Sequence, residues 1–161
     1  MAKYFCINRT GKYHDLASKY DVVNYILNPQ KTAPGYFGGY HVDPYSPADS
    51  MIDTSEQYGK SSGVQLRHYV FSFDFGELSN PNTALQIAKD FASYVGQEFQ
   101  TVFAVHLNKP NLHFHLVFNS CSYVDGHRFR GTRKEFYTMQ NGFRSILRRY
   151  GIHRLEYQTK R

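Results

Sequence analysis

The sequence predicts an α+β domain: a central antiparallel β-sheet with helices packed mainly on one face. Three observations carry this. Three segments alternate apolar and polar residues with the period of a strand, and each has one purely apolar side. Three further segments repeat apolar residues at helical spacing and carry start and stop signals. Tight-turn sequences such as Asn108-Lys109-Pro110 and Asp125-Gly126 join neighbouring strands, as antiparallel pairing allows.

The elements follow in order. Residues 3–8 read as a short strand ending at Arg9-Thr10-Gly11. Asp15 is placed to cap a helix running to about Leu27, and Pro29 closes it. On a wheel of about 100° per residue, Leu16, Tyr20, Val23 and Leu27 form its core stripe. Residues 33–66 hold many Gly, Pro and Ser with scattered Tyr and read as a long, functional or partly structured loop. Residues 67–75 form a strand with an aromatic face of Tyr69, Phe71, Phe73 and Phe75. Asn80-Pro81 opens a helix to about Val95. Residues 100–107 and 111–123 are strands, and a short strand is expected at His127–Arg130. A last helix, about Arg133 to Tyr150, turns Phe136, Met139, Phe143, Ile146 and Leu147 inward and stops at Gly151.

The 161 residues fit one domain, residues 1–161, large enough to bury a core. A 41% hydrophobic and 17% aromatic content argues against disorder. No apolar run reaches the ~18 residues of a membrane span, and the N-terminus lacks the apolar stretch of a secretory signal. Two cysteines, Cys6 and Cys121, make neither a disulfide framework nor a Cys-rich zinc site, so a reducing cytoplasm is expected. The formal net charge is +6, and from His127 onward ten Lys/Arg stand against two Glu. Localised basicity beside many tyrosines suits nucleic acid, and equally a solvated basic helix.

The strand faces hold the chemistry. Opposite their apolar sides lie His113, His115, Val117 and Asn119; Val102, Ala104 and His106; and His68, Val70, Ser72 and Asp74. If the strands are neighbours, His106, His113, His115 and Ser72 share one open sheet face. Two imidazoles two residues apart on a strand point the same way, and a third from the adjacent strand completes a metal site. Imidazole suits Zn, Mn, Ni, Fe or Cu, so spacing alone does not choose. Tyr25 falls about 180° from Leu16 on its helix, free to face a substrate, although an ordinary surface tyrosine fits the same position. Lys31 follows it closely enough to steady a phosphate. Tyr36, Phe37, Tyr40 and Tyr45 could stack on unpaired bases or simply pack their loop.

Three segments, in order, carry a family resemblance: NYILNPQKT, GVQLRHYVFSFDFGE and VHLNKPNLHFHLVFNSCSYVDGHRFR. The chain resembles the N-terminal domain of conjugative relaxases, mobilisation nucleases of the HUH endonuclease superfamily, over nearly its whole length. The resemblance implies that Tyr25 is the nucleophile. It implies that His106, His113 and His115 hold a divalent ion, Mn²⁺ or Mg²⁺ first and Zn²⁺ or Ni²⁺ next. Ser72 would contact the DNA backbone near the cut, and Asn119 would support the site. Where relatives usually carry an acid, this chain has Asn108, leaving Asp74 or solvent to take the tyrosine proton. Lys31, Arg128, Arg130, Arg133, Lys134, Arg148 and Arg149 would track phosphates. The implied activity is strand-specific nicking of single-stranded DNA at an origin of transfer through a 5′-phosphotyrosine. The alternatives are a replication-initiator nuclease of the same superfamily, whose tyrosine usually follows the histidines, and a non-catalytic single-stranded DNA-binding module. Implied partners are origin DNA, an accessory relaxosome protein, and a coupling protein with a type IV secretion system. Implied location is the bacterial cytoplasm, with translocation into a recipient cell on the DNA. Members of the family often continue beyond such a domain, so the chain is also compatible with the N-terminal part of a longer protein.

Overall fold

A computed structural model describes residues 1–7 and 13–159; the expected turn at Arg9-Thr10-Gly11 and the last two basic residues lie outside them. The elements run β1 (Ala2–Cys6), α1 (Ala17–Ile26), β2 (Phe37–Tyr40), α2 (Pro47–Gln57), β3 (Leu66–Ser72), α3 (Pro81–Val95), β4 (Thr101–His106), β5 (His113–Asn119), α4 (Arg133–Arg148) and β6 (Leu155–Tyr157). They build one six-stranded sheet in the order β2-β4-β5-β3-β1-β6. Among the described residues four pairings are antiparallel, and β1 with β6 is parallel. The α+β class therefore stands, with a mixed sheet.

The alternation of the strands decides the layers. Tyr69 and Phe71 of β3, Phe103 and Val105 of β4, and Phe114, Leu116 and Phe118 of β5 face α3 and α4 in the larger core. Its centre is aromatic: the Phe71 ring lies 4.9 Å from Phe91, 5.1 Å from Phe114 and 5.1 Å from Phe143. The inward face of α4 is as expected, with Met139, Phe143, Ile146 and Leu147 buried and Phe136 partly so. Thr132 and Glu135 form a reciprocal capping box at its start, and Gly151, at φ 77°, follows its end.

The other face is not open along its length. Leu66, Val102, Ala104 and Val117 make half of it apolar, and α1 and α2 cover that half through Val22, Val23, Ile26 and Met51. The helices thus divide two and two between the faces. Residues 33–66, read as a loop, contain β2 and α2. Ser46-Pro47 starts α2, with Pro at the first turn, and Ala48, Met51 and Ser55 form its buried stripe. Tyr20 is not core: it is 43% exposed, and its hydroxyl donates to Asp49 on α2. The stripe of α1 is Lys19, Val22, Val23 and Ile26 instead. The Asp15 carboxylate does cap the helix, accepting from the Ser18 amide at 3.0 Å. Phe75 is 64% exposed because β3 ends at Ser72, before the aromatic alternation does. The expected strand at 127–130 is a single bridge, Cys121 to Arg128.

Candidate functional site

The register across three strands assembles the site. His106 of β4 lies opposite His113 of β5, and His113 lies opposite Ser72 of β3. His115, two residues along β5, faces the same way, and the residue opposite it is the small Ala104. The three imidazoles converge: one nitrogen from each of His106, His113 and His115 lies within 4.8 Å of the others. The His106 and His115 rings are 4.2 Å apart.

Each ring has its second nitrogen committed. His106 Nε2–H donates to the Ile26 carbonyl at 2.9 Å, one of the unpaired carbonyls at the C-terminus of α1. His113 Nδ1–H donates to the Asn111 carbonyl at 3.3 Å. His115 Nδ1 lies 2.7 Å from Nε2 of His68, a buried residue of β3. The carbonyl partners fix the tautomers of His106 and His113; with Nδ1–H as the donor to His68, His115 keeps its Nε2 lone pair. Burial lowers the pKa of all three below the ordinary histidine value. Burial first, and then the neighbouring His106 imidazole, lowers the pKa of His68 to about 3. Neutral imidazoles with oriented lone pairs are the donor set a divalent ion requires, so these residues fit a metal.

Tyr25 stands beside this cluster. It lies in the last turn of α1, 47% exposed, with its ring 5.9 Å from that of His115 and 6.4 Å from that of His68. Asn28-Pro29 then turns the chain, and Asn28 Oδ1 accepts from the Gln30 amide at 2.9 Å. Lys31 is thereby brought back, its Nζ 4.3 Å from the Tyr25 ring centroid. The Leu107 amide donates to the Lys31 carbonyl at 2.6 Å, tying this segment to the end of β4. Tyr25, Ser72, His113, His115 and Lys109 line one cleft of about 450 Å³.

The remaining expected site residues do not line this cleft. Asn119 is four residues beyond His115, about 13 Å along the strand. It is fully buried, with Nδ2 donating to Met51 O and Gln100 Oε1 at 3.1 Å each, so it clamps α2 to the sheet. Asn108 is exposed in the turn after β4. Asp74 is exposed and accepts from the Met1 amine at 2.7 Å, which also lowers its pKa. Arg130, Arg133 and Lys134 are exposed at or before the start of α4, which packs on the other face of the sheet. Arg128 donates to Lys60 O, Arg149 lies 3.9 Å from Asp90, and Arg148 is exposed near the end of α4. His68 is the residue that sequence reasoning did not assign. Its only signal was its place on the Ser72 face of β3.

The matching family model is described as "Relaxase: MobA/VirD2-like, nuclease domain", and it matches residues 25–152, opening on Tyr25. Two curated relatives, both called group II intron-interrupted relaxase LtrB, come from Lactococcus lactis subsp. cremoris, one of them from strain MG1363. Each is 24% identical over 118 residues, covering 72% of this chain and 21% of the relative. The chain therefore spans about a fifth of the length of those relatives. A solved structure described as "Molecular Basis of Vancomycin Resistance Transfer in Staphylococcus aureus" superposes with a TM-score of 0.48 and 16% identity, over 78% of this chain and 75% of that one.

Proposed function

Because the chain belongs to the MobA/VirD2-like relaxase nuclease family, we propose that it nicks single-stranded DNA at an origin of transfer by transesterification onto Tyr25. The observation that carries this reading is the placement of an exposed tyrosine 5.9 Å, ring to ring, from a three-histidine cluster with oriented nitrogens. His106, His113 and His115 would hold a divalent ion, Mn²⁺ or Mg²⁺ by resemblance, which when bound would supply Lewis acidity to the phosphodiester.

The chain's own residues do the rest. The Tyr25 oxygen attacks phosphorus, its bond to phosphorus forms, and the bond to the 3′ oxygen breaks. The products are a 5′-phosphotyrosine and a 3′-hydroxyl, and because the phosphoester bond is exchanged rather than hydrolysed the step reverses. The phenolic proton leaves to water and the 3′ oxygen takes one from water, since Asp74 is engaged with the Met1 amine. Lys31, beside the ring, adds positive charge where the phosphate would sit. Ser72, opposite His113, offers a hydroxyl to the backbone next to the cut. Transfer of a plasmid or integrative element, with relaxosome and secretion partners, is the setting this chemistry serves.

The test is a denaturing gel of end-labelled oligonucleotides carrying the element's transfer origin, with Mn²⁺ or Mg²⁺ and with chelator. Wild-type protein is expected to give a metal-dependent, SDS-stable adduct. Tyr25→Phe is expected to give none while retaining DNA binding. Cleavage by Tyr25→Phe, or free 5′-phosphate ends without an adduct, would overturn the assignment.

A further inference from the structure

Five residues, one from each of five strands, form a single transverse row. His106 stands opposite His113, His113 opposite Ser72, Ser72 opposite Lys3, and Lys3 opposite Glu156. Residues paired in this way project to the same face. The row covers four strand spacings, about 19 Å. Its first three members belong to the site above. Lys3 extends it beyond Ser72 toward the edge strand β6.

That edge opens on a recess of about 500 Å³ between α4 and the 153–157 segment, lined by Arg144, Arg148, Arg154, His153 and Met1 among others. Arg144 is anchored, donating to Leu155 O at 3.1 Å. Arg148 and Arg154 are exposed, and neither has a carboxylate partner among the ion pairs of the described residues. Glu156, the acidic lining residue, accepts from Gln158 Nε2 at 3.0 Å. The recess and the histidine site share one end of the sheet: Met1 lines the recess, and its amine reaches Asp74, two residues past Ser72. Lys134 instead lines a groove with Glu98 and Phe99, next to the start of β4 and away from His106.

We propose that this recess is a second phosphate-binding subsite for the nucleic-acid strand, which runs from Tyr25 across Ser72 and Lys3 and over the β6 edge onto Arg148 and Arg154. The proposal rests on the reading of the chain as acting on single-stranded DNA. Guanidinium groups with no carboxylate to satisfy them match phosphate oxygens in charge and in donor geometry. At the 3.4 Å per nucleotide of a duplex strand, about six nucleotides would span the row, and fewer if the strand is extended.

The test needs no cleavage. Fluorescein-labelled dT20 is titrated by anisotropy over a salt series against wild-type protein, Arg148→Ala/Arg154→Ala and Arg148→Lys/Arg154→Lys. The alanine pair is expected to bind about tenfold more weakly, with a log–log salt slope shallower by about 1.4, two phosphates at ~0.7 each on a single strand. The lysine pair is expected to keep most of the slope. Thermal melts check that the exposed substitutions leave the fold intact. Unchanged dT20 affinity and slope in the alanine pair would overturn the subsite while leaving nicking at Tyr25 untouched. In a parallel titration with fluorescein-labelled poly-glutamate, loss of binding in the alanine pair with dT20 binding intact would overturn it in favour of an acidic protein partner. Failure of wild-type protein to bind dT20 at all would overturn the single-stranded reading itself.

Discussion

His68 shows what a residue that faces no substrate contributes. Its imidazole orients the His115 ring across a 2.7 Å contact, and its own Nδ1 lies 3.5 Å from the Tyr13 hydroxyl. Removing such a partner typically costs 10–100-fold in metal affinity. His68→Ala is therefore expected to weaken Mn²⁺ or Zn²⁺ binding by that factor in calorimetry, without removing a ligand. Affinity unchanged in the variant would mean that the Val70–His115 neighbourhood fixes the ring unaided. The contrast with the three clustered histidines marks what sequence reveals. Two residues apart on a strand is a spacing, and His113 and His115 could be read from it. His68 meets His115 diagonally, since its direct partner is Val117. That relation depends on register, which a period of two does not specify. Tyr20 departs from its helical-wheel position for a related reason. Its wheel position assumed a core beneath the helix, whereas its hydroxyl instead reaches Asp49 on α2.

At the scale of elements, α1 and α2 present the tyrosine and close half the histidine face. Both are held by buried polar groups. Asn119 donates to Met51 O and Gln100 Oε1 and accepts from Ser55 Oγ at 3.3 Å and the Cys121 amide at 3.2 Å. Asn119→Ala strands these partners and is expected to cost about 2–4 kcal/mol in urea unfolding. A cost under about 0.5 kcal/mol would mean that α2 is held by Met51 and Ala48 packing alone. Lys19 ties α1 to the segment before β3, donating to Gln65 Oε1 at 2.7 Å and Gln65 O at 3.1 Å. Desolvation lowers its pKa from 10.5 to about 8. Below pH 8 both folded and unfolded chains carry the charge, and the folded state bears the full penalty. Between about 8 and 10.5 the folded chain loses its proton first, so stability rises with pH, by roughly 3 kcal/mol in all. The stability of wild-type protein relative to Lys19→Met should therefore increase across that window in denaturant melts at stepped pH. A constant difference would show that Lys19 titrates normally. α2 itself escaped sequence reading because Gly, Pro and Ser on either side gave its span the composition of a loop. The signals were local: Ser46-Pro47 at its start and Ala48, Met51 and Ser55 at helical spacing.

Across the whole molecule, the sheet separates chemistry from mass. One face, under α3 and α4, is a dense aromatic core that fixes the strand register. The other exposes the histidine cleft beyond the edge of α1 and α2. The basic excess of the last fifth of the chain is divided by this arrangement. Arg133 and Lys134 open α4, while Arg148 and Arg154 lie at the end shared with Ser72 and Met1. Sequence located the charge but not its partition, because α4 is about 24 Å long and its two ends serve different parts of the surface. The fold class, the histidine triad and the exposed tyrosine were legible from alternation and helical phase. The coverage of the second face and the row of paired residues from His106 to Glu156 were not, because both arise from pairings between distant segments. No helix among the described residues is long and apolar enough to cross a membrane.

Nicking by this route leaves Tyr25 covalently joined to the DNA. Trypsin releases it in the peptide Tyr20–Lys31, which also contains Tyr20, so fragment-ion sequencing of the adduct peptide is the direct measurement. With Mn²⁺ and an origin oligonucleotide, the nucleotide mass is expected on Tyr25 and on no other residue, and it should vanish with chelator. Nucleotide mass on Tyr20, Tyr137 or Tyr150, or strand cleavage with every tyrosine unmodified, would contradict the account.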